Sequence, residues 1–551
     1  MKTTLLFRLS LLLTLGLGGS PRSLAATAKL PLYDGLSAYT RQVTTGSPEA
    51  QRYFNQGLAF TYGFDREMAI KSFQEAARLD PLCAMAWWGI ANACAPNINS
   101  PMVDPDHHAL AWDAITQAQA AAAHGTPVEQ AFIRAQAKRY GEKYHSDRRA
   151  LDEAYAAAMR EAWHAHPEDA DVGVLFAEAM MDLRPWDQWT SDGKLQPGTE
   201  EVLAALKTVM ALNPNHPMGL HLVIHANESS FTPGVAVPAA NRLRSQRSLL
   251  GHMEHMPSHI DVRTGKWFEA VEANERAIQS DLRYRQVVGK PQGDLWGYMA
   301  HNRHMQAYAA VMTGESTVAF RTMAAMVREV PTEVPPEIWS MVDGFTAMPT
   351  EVFIRFGRWD DILAQQLPGE KYVFTRAMLL AARGIAFAAK GQPAAARTEQ
   401  AAFAAAAKKI PADASFSLNS VASLLAVAEH MLAGEILYRE GQIDAGLAEL
   451  REAVKREDAL HYDEPPGWIS PVRHSLGASL LQAGRYAEAE QVYRADLEKL
   501  PDNGWSLFGL AESLEVQGRK SEAAAVRAQF QQRWARADVT IKSSCFCQPG
   551  L

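Results

Sequence analysis

Cysteine is scarce, with four residues in 551. Cys83 and Cys94 bracket one predicted helix, where eleven residues of rise hold them about 16 Å apart, too far to bond to each other. They are expected to be buried small apolar residues. Cys545 and Cys547 form a C-x-C at the far end, which suits a pair of soft metal ligands, a disulfide or a loose tail. Basic tracts are missing: Lys plus Arg number 54 against 62 for Asp plus Glu, a formal net charge of −8, so no nucleic-acid partner is expected. Beyond the N-terminus no apolar stretch of about 18 residues stands out, so the protein is not expected to be membrane-embedded. A phosphate-binding glycine loop is absent, and no serine-nucleophile motif stands out. The zinc-protease pattern H-E-x-x-H also fails: Glu254-His255 begins it, but position 258 is Ser.

What is present is ordinary globular material, 47% hydrophobic and 21% charged, which excludes long disorder. The length is too great for a single core, leaving several domains or a stack of repeats. The N-terminus resembles a secretory signal over residues 1–28. Lys2 and Arg8 supply positive charge, Leu9 to Leu17 a short apolar run, and Ala26-Thr27-Ala28 a small-x-small cleavage site. An uncleaved anchor is the alternative. Either way the expectation is an exported protein, periplasmic or secreted, and the cysteine usage fits that compartment.

Alanine and leucine dominate long segments that glycine and proline seldom interrupt, so the chain is expected to be helical. Two segments give a period. From Ala50 to Pro81 stand Gly57, Phe60, Ala69, Phe73, Ala76 and Pro81. From Ser470 to Pro501 stand Leu476, Gly477, Leu480, Ala489, Tyr493 and Pro501, with Gly484 between two helices. Both resemble the 34-residue tetratricopeptide repeat: a small residue on each helix, an aromatic four residues later, and a closing proline. Weaker copies start near Ala84, Pro217, Gly251, Ala300, Asp343, Ala377, Val427 and Gly504. Residues 96–200 fit poorly, although helices are expected over Val128 to Tyr140 and Arg148 to His164. Asp281 to Leu295 and Leu460 to Gly467 resemble insertions. The fold class expected is all-α, a tetratricopeptide-like solenoid of helix-turn-helix repeats. The stretches are 29–215 with an irregular insertion, the His-rich 216–330, the degenerate 331–426, the repeats at 427–535, and the tail at 536–551. The resemblance implies a right-handed superhelix whose first helices line a concave groove through the second, fifth, ninth and twelfth residues of each repeat. In that family the groove usually holds a peptide or a partner protein.

Histidine is the unusual residue. Eight of 17 lie between His216 and His304. His221, His225 and Glu228 are spaced i, i+4, i+7; His252, His255 and His259 are spaced i, i+3, i+7; His301 and His304 are spaced i, i+3, so each set shares one helix face. In repeat frames starting at Pro217, Gly251 and Ala300, all eight of these residues take groove-facing positions. Seven imidazoles and one carboxylate form a nitrogen-rich donor set suited to a transition metal such as Zn, Cu or Fe. Eight donors exceed the three or four that one zinc takes, so either two ions bind or some residues support the others. Asn227, Ser229, Asn274 and Asn302 could supply that support. His474, at a fifth position, and His461, in the segment His461 to Pro466, are further candidates if the chain curls back over the groove. Three functions follow: a groove metalloenzyme, hydrolytic or redox, with Glu228 or Asp261 as a candidate base; a protein- or peptide-binding scaffold in which the histidines are contacts; and a metal carrier that also uses Cys545 and Cys547.

Overall fold

The computed structural model describes residues 29–548, so the segment resembling a signal lies outside the described residues. From Leu32 onward the chain forms one compact unit. Helix follows helix from Pro48 to Arg533. Among the described residues the strands are two dipeptides, Ser415–Phe416 and Asn419–Ser420, paired as a hairpin. The fold is all-α.

Local chemistry explains the helix pairs. The Pro48–Tyr62 helix opens with Pro48 at a position needing no N–H, and the Ser47 hydroxyl accepts from the Ala50 N–H. The Arg66–Leu79 helix is capped by Asp65, whose carboxylate accepts from the Met68 N–H. The pairs close because glycines make room for aromatics. A Cβ on Gly57 would stand 2.7 Å from the Phe73 ring, and one on Gly89 2.4 Å from it. Near the other end, Tyr493 is held in the same way between Gly477 and Gly509, at 2.4 and 2.1 Å. In both of these pairs an aromatic on the second helix thus wedges between glycines on the first helices before and after it. That packing is of tetratricopeptide type. Gly484 turns the chain between Val472–Gln482 and Tyr486–Lys499 with φ 74°, a conformation that costs other residues about 1 kcal/mol.

Three expectations need correction. Asp281 to Leu295 is only about half non-helical: Trp267–Val287 covers its first seven residues, residues 288–294 are loop, and Leu295–Thr313 begins before Ala300. Buried polar contacts extend the first of these helices, since the Tyr284 hydroxyl donates to Asp65 at 2.6 Å and Asp281 accepts from Asn302 at 2.8 Å. Residues 96–200 are also richer in helix than their period suggests, with Pro105–Ala121, Pro127–Gln136, Arg149–Ala165, Ala170–Asp182 and Thr199–Leu212. Leu460 to Gly467 is non-helical, as an insertion should be. Finally, one described helix, Val421–Arg439, is long and apolar enough to cross a membrane by length and composition. It carries Glu429, His430 and Glu435, and it packs against Val373–Ala389 and Ile443–Asp458.

Cys83 and Cys94 are free and buried, and burial pushes their thiols up to about 11 and about 12. Cys545 and Cys547 are joined as a disulfide, so in this state they are not thiolate ligands.

Candidate metal centre

Three neighbouring elements bring the histidines together. Pro217–Glu228 is capped by His216, whose Nδ1 accepts from the Gly219 N–H at 3.1 Å. Gly251–His255 continues through Met256 into Pro257–Arg263. Pro257 has no N–H to give, and the His259 N–H bonds the Met256 carbonyl, a tighter turn that sets His259 apart from His252 and His255. Leu295–Thr313 supplies His301.

Six imidazoles form one continuous cluster. Ring centroids are 4.8 Å apart for His221 and His225, 4.9 Å for His221 and His252, 5.5 Å for His225 and His259, 4.7 Å for His255 and His259, and 4.5 Å for His255 and His301. Two sets of three share no residue: His221, His225, His252 and His255, His259, His301. Within each, ligand atoms lie within 4.8 Å of one another. His221 and His252 oppose their Nε2 atoms at 3.3 Å, and His255 and His259 theirs at 2.7 Å.

The outer nitrogens are fixed by oxygen acceptors. Glu228 accepts from His225 Nδ1 at 2.7 Å through one oxygen and from His259 Nδ1 at 2.5 Å through the other. Asn274 gives its N–H to the Ala270 carbonyl, so its oxygen faces His255 Nδ1, at 2.6 Å. These contacts put the proton on Nδ1 of His225, His255 and His259 and leave each Nε2 as a bare donor. His225 Nε2 is buried and has no hydrogen-bond partner. Glu228, expected as a ligand, sits against the Nδ1 atoms of two imidazoles as their orienting carboxylate, and it also lies within reach of His225 and His259 as a third donor.

A second carboxylate arrives from far along the chain. Glu464 stands 3.3 Å from His259 Nδ1 and accepts from the Tyr462 hydroxyl. The segment after Leu460 does fold back here, but through Glu464; His461 itself is exposed and bonds the adjacent Tyr462 carbonyl. His474 lies elsewhere, with Nε2 on Asp496 at 2.9 Å and Nδ1 accepting from Arg355 at 3.1 Å, so both its nitrogens are used. His304 also leaves the cluster: its ring packs on Phe345 and Phe416. Asp261 is occupied by Arg244, and Glu254 by the Ser248 N–H and Arg247, so neither faces the imidazoles. Of the supporting amides, Asn274 serves, while Asn302 bonds Asp281 and Asn227 bonds the Val223 carbonyl.

Aromatic side chains wall the cluster in. Phe64 lies 5.2 Å from His252 and 4.9 Å from His221, Trp186 lies 5.1 Å from His225, and Tyr298 lies 4.8 Å from His252. Asn99 holds the Trp186 indole N–H at 3.0 Å. Phe64 and Trp186 both have positive φ, 61° and 60°. Large side chains rarely adopt that conformation, and such strain concentrates at functional sites. The periodicity gave no sign of these walls; the one signal was the irregular linker carrying Trp186.

Burial sets the charge state. It holds His225 and His255 down at about 3 and His259 at about 4, and it carries His221, His252 and His301 well below the usual value, with neighbouring imidazoles adding to the effect. The cluster is thus a set of neutral nitrogen donors. Burial also pushes Glu228 up, and Glu464 well up with the nearby Glu228 charge adding to it.

No family model matches the chain, and no curated protein matches it. Among solved structures it is similar to the human IFIT1 dimer with m7Gppp-AAAA, at 12% identity and TM-score 0.32 over 90% of this chain and 92% of that one. It is similar to yeast Tom70 at 10% identity and TM-score 0.30, over 90% and 91%. It is similar to the APC/C hetero-tetramer Cut9-Hcn1 at 13% identity and TM-score 0.31, over 89% and 76%. Likeness at this level carries no argument about ligands, nucleic acid included.

Proposed function

We propose that the chain is an exported metalloprotein that holds one or two transition-metal ions, of Zn, Cu or Fe, among His221, His225, His252, His255, His259 and His301. The observation that carries the reading is the 2.7 Å approach of His255 Nε2 to His259 Nε2 while both Nδ1 atoms donate to oxygen. Two bare lone pairs at that distance repel unless a cation lies between them. The 3.3 Å between His221 and His252 matches the edge of a tetrahedron with bonds of about 2.0–2.1 Å, as zinc makes to imidazole. Glu228 and Asn274 supply the orienting acceptors such ligands usually have.

Three-histidine sets leave a coordination position open, which suits reaction rather than purely structural binding. When bound, zinc supplies Lewis acidity, and copper or iron supplies electron transfer. Burial argues against the histidines as peptide contacts: His221, His225, His252, His255 and His259 are 0–4% exposed, and an extended peptide needs open access to its contacts. A protein partner of the repeat scaffold would use other surfaces.

The test is metal-free protein titrated with each ion against a competing chelator, beside a His225→Ala/His259→Ala variant of unchanged helicity, which takes one ligand from each three-histidine set. One or two tight equivalents in the parent, lost in the variant, support the reading. Equal affinity in both removes it.

A further inference from the structure

Glu435, on the Val421–Arg439 helix, is 1% exposed, and neither of its carboxylate oxygens has a hydrogen-bond partner. The metal reading above makes no use of it. The group facing it is the C-terminal tail. A Glu435 oxygen and the sulfurs of Cys545 and Cys547 all lie within 4.8 Å of one another, and all three residues are buried.

The tail is held in place by many contacts. Arg355 donates to the Ser544 carbonyl at 2.6 Å, the Ser544 hydroxyl donates to the His474 carbonyl at 2.8 Å, and Gln548 donates to Ser479 at 3.0 Å. Arg439 donates to the Cys547 carbonyl. Two donors also point at one sulfur: the Ser475 hydroxyl at 3.3 Å and the Cys547 N–H at 3.2 Å both reach Cys545 Sγ. Donors in that position stabilise a thiolate more than a neutral sulfur.

We propose that Glu435, Cys545 and Cys547 form a second metal site, for a soft or borderline cation such as Cu(I), Zn(II) or Cd(II), which the Cys545–Cys547 disulfide shuts and a dithiol opens. The chemistry balances. The dithiol gives two electrons and two protons to the S–S bond and becomes a disulfide itself, leaving two thiols here. The cation then binds both sulfurs and the carboxylate, and the two thiol protons pass to solvent. Two thiolates select soft ions, and the carboxylate adds a third, anionic donor that fills the orphaned place. In the disulfide neither sulfur is an anion, so the oxidised protein lacks the site.

The experiment uses the full chain carrying His225→Ala/His259→Ala, which breaks both three-histidine sets, so that the imidazole cluster does not compete. Protein is purified throughout under a phosphine reductant, with its thiols counted, and compared with oxidised protein. Cd(II) is the probe, read by thiolate-to-metal charge-transfer absorption and by equilibrium dialysis. The proposal expects one Cd(II) equivalent with a thiolate band in the reduced protein and none in the oxidised. Glu435→Gln, which keeps the shape and both thiols, should weaken binding by about tenfold or more. A disulfide that persists under the reductant, a reduced protein that binds no more Cd(II) than the oxidised, or a Glu435→Gln variant with unchanged affinity would each overturn it. None of these results bears on the histidine cluster.

Discussion

His225 and His259 share one carboxylate: Glu228 receives the Nδ1–H of the first at 2.7 Å and of the second at 2.5 Å. They lie on different helices, so a single side chain sets the orientation of two rings and turns both Nε2 atoms inward. The third fixed ring, His255, is set by Asn274 from Trp267–Val287. Support of this kind is as much a part of a metal centre as the ligands.

Glu228→Gln should therefore weaken metal binding without removing any ligand. The amide cannot accept from both rings, so one imidazole loses its tautomer. A loss of about 10–100-fold in affinity is expected, and a similar loss for Asn274→Ala. Chelator competition measures both, with circular dichroism confirming the fold. Unchanged affinity in both would show that the two side chains do not act on the centre.

Phe64 tests the wall. Its left-handed backbone costs about 1–2 kcal/mol that glycine would not bear, while its ring covers His221 and His252. Phe64→Gly should relieve the strain and open the cluster, so a chelator should strip metal faster from the variant than from the parent. Stopped-flow removal with a coloured chelator gives the two rates, and equal rates would mean that metal leaves by another route.

The repeat packing makes a stability prediction. A methyl on Gly477 would meet the Tyr493 ring at 2.4 Å, so Gly477→Ala should destabilise by about 1–3 kcal/mol through overpacking. Gly484 has open space around it but φ 74°, so Gly484→Ala should cost less, about 1 kcal/mol. Thermal melts of the two variants should rank in that order.

A pH dependence comes from Asp171, away from the histidine cluster. Its carboxylate accepts from Tyr39 and Tyr62 and pairs with Arg41 at 2.5 Å and His216 at 3.1 Å. Burial alone would push it up, but the His216 hydrogen bond and the Arg41 charge outweigh burial and hold it well below its usual 3.8. A depressed carboxylate stabilises the fold above its unfolded value, and that stability is lost as pH falls through the folded one. Unfolding free energy should thus decline below about pH 4. Asp171→Asn should flatten that part of the profile and destabilise at pH 7 by about 1–3 kcal/mol, because Tyr62 and His216 lose their charged acceptor while Arg41 keeps Asp169. Urea melts across pH 2 to 7 measure both effects.

The fold was legible where its packing is local. Gly57 with Phe73 and Gly477 with Tyr493 lie within one repeat, and their spacing betrays them. The histidines were legible for the same reason, since three faces in one frame placed six of the seven proposed imidazoles together. His304 was not, because whether a ring at i+3 joins the cluster or packs on Phe345 depends on residues about forty and a hundred positions away. Glu464, Phe64 and Trp186 reach the site from loops far along the chain, where helix periodicity says nothing of which side chain points inward. The extension of Trp267–Val287 was hidden because buried partners, Asp65 and Asn302, keep it helical.

The central claim is that these imidazoles bind metal, and elemental analysis of natively purified protein, without affinity-tag histidines or chelators, tests it most directly. One or two equivalents of Zn, Cu or Fe per chain, absent from His225→Ala/His259→Ala, is the predicted result. A parent protein that carries no metal, and still takes up none after incubation with each ion, would contradict it.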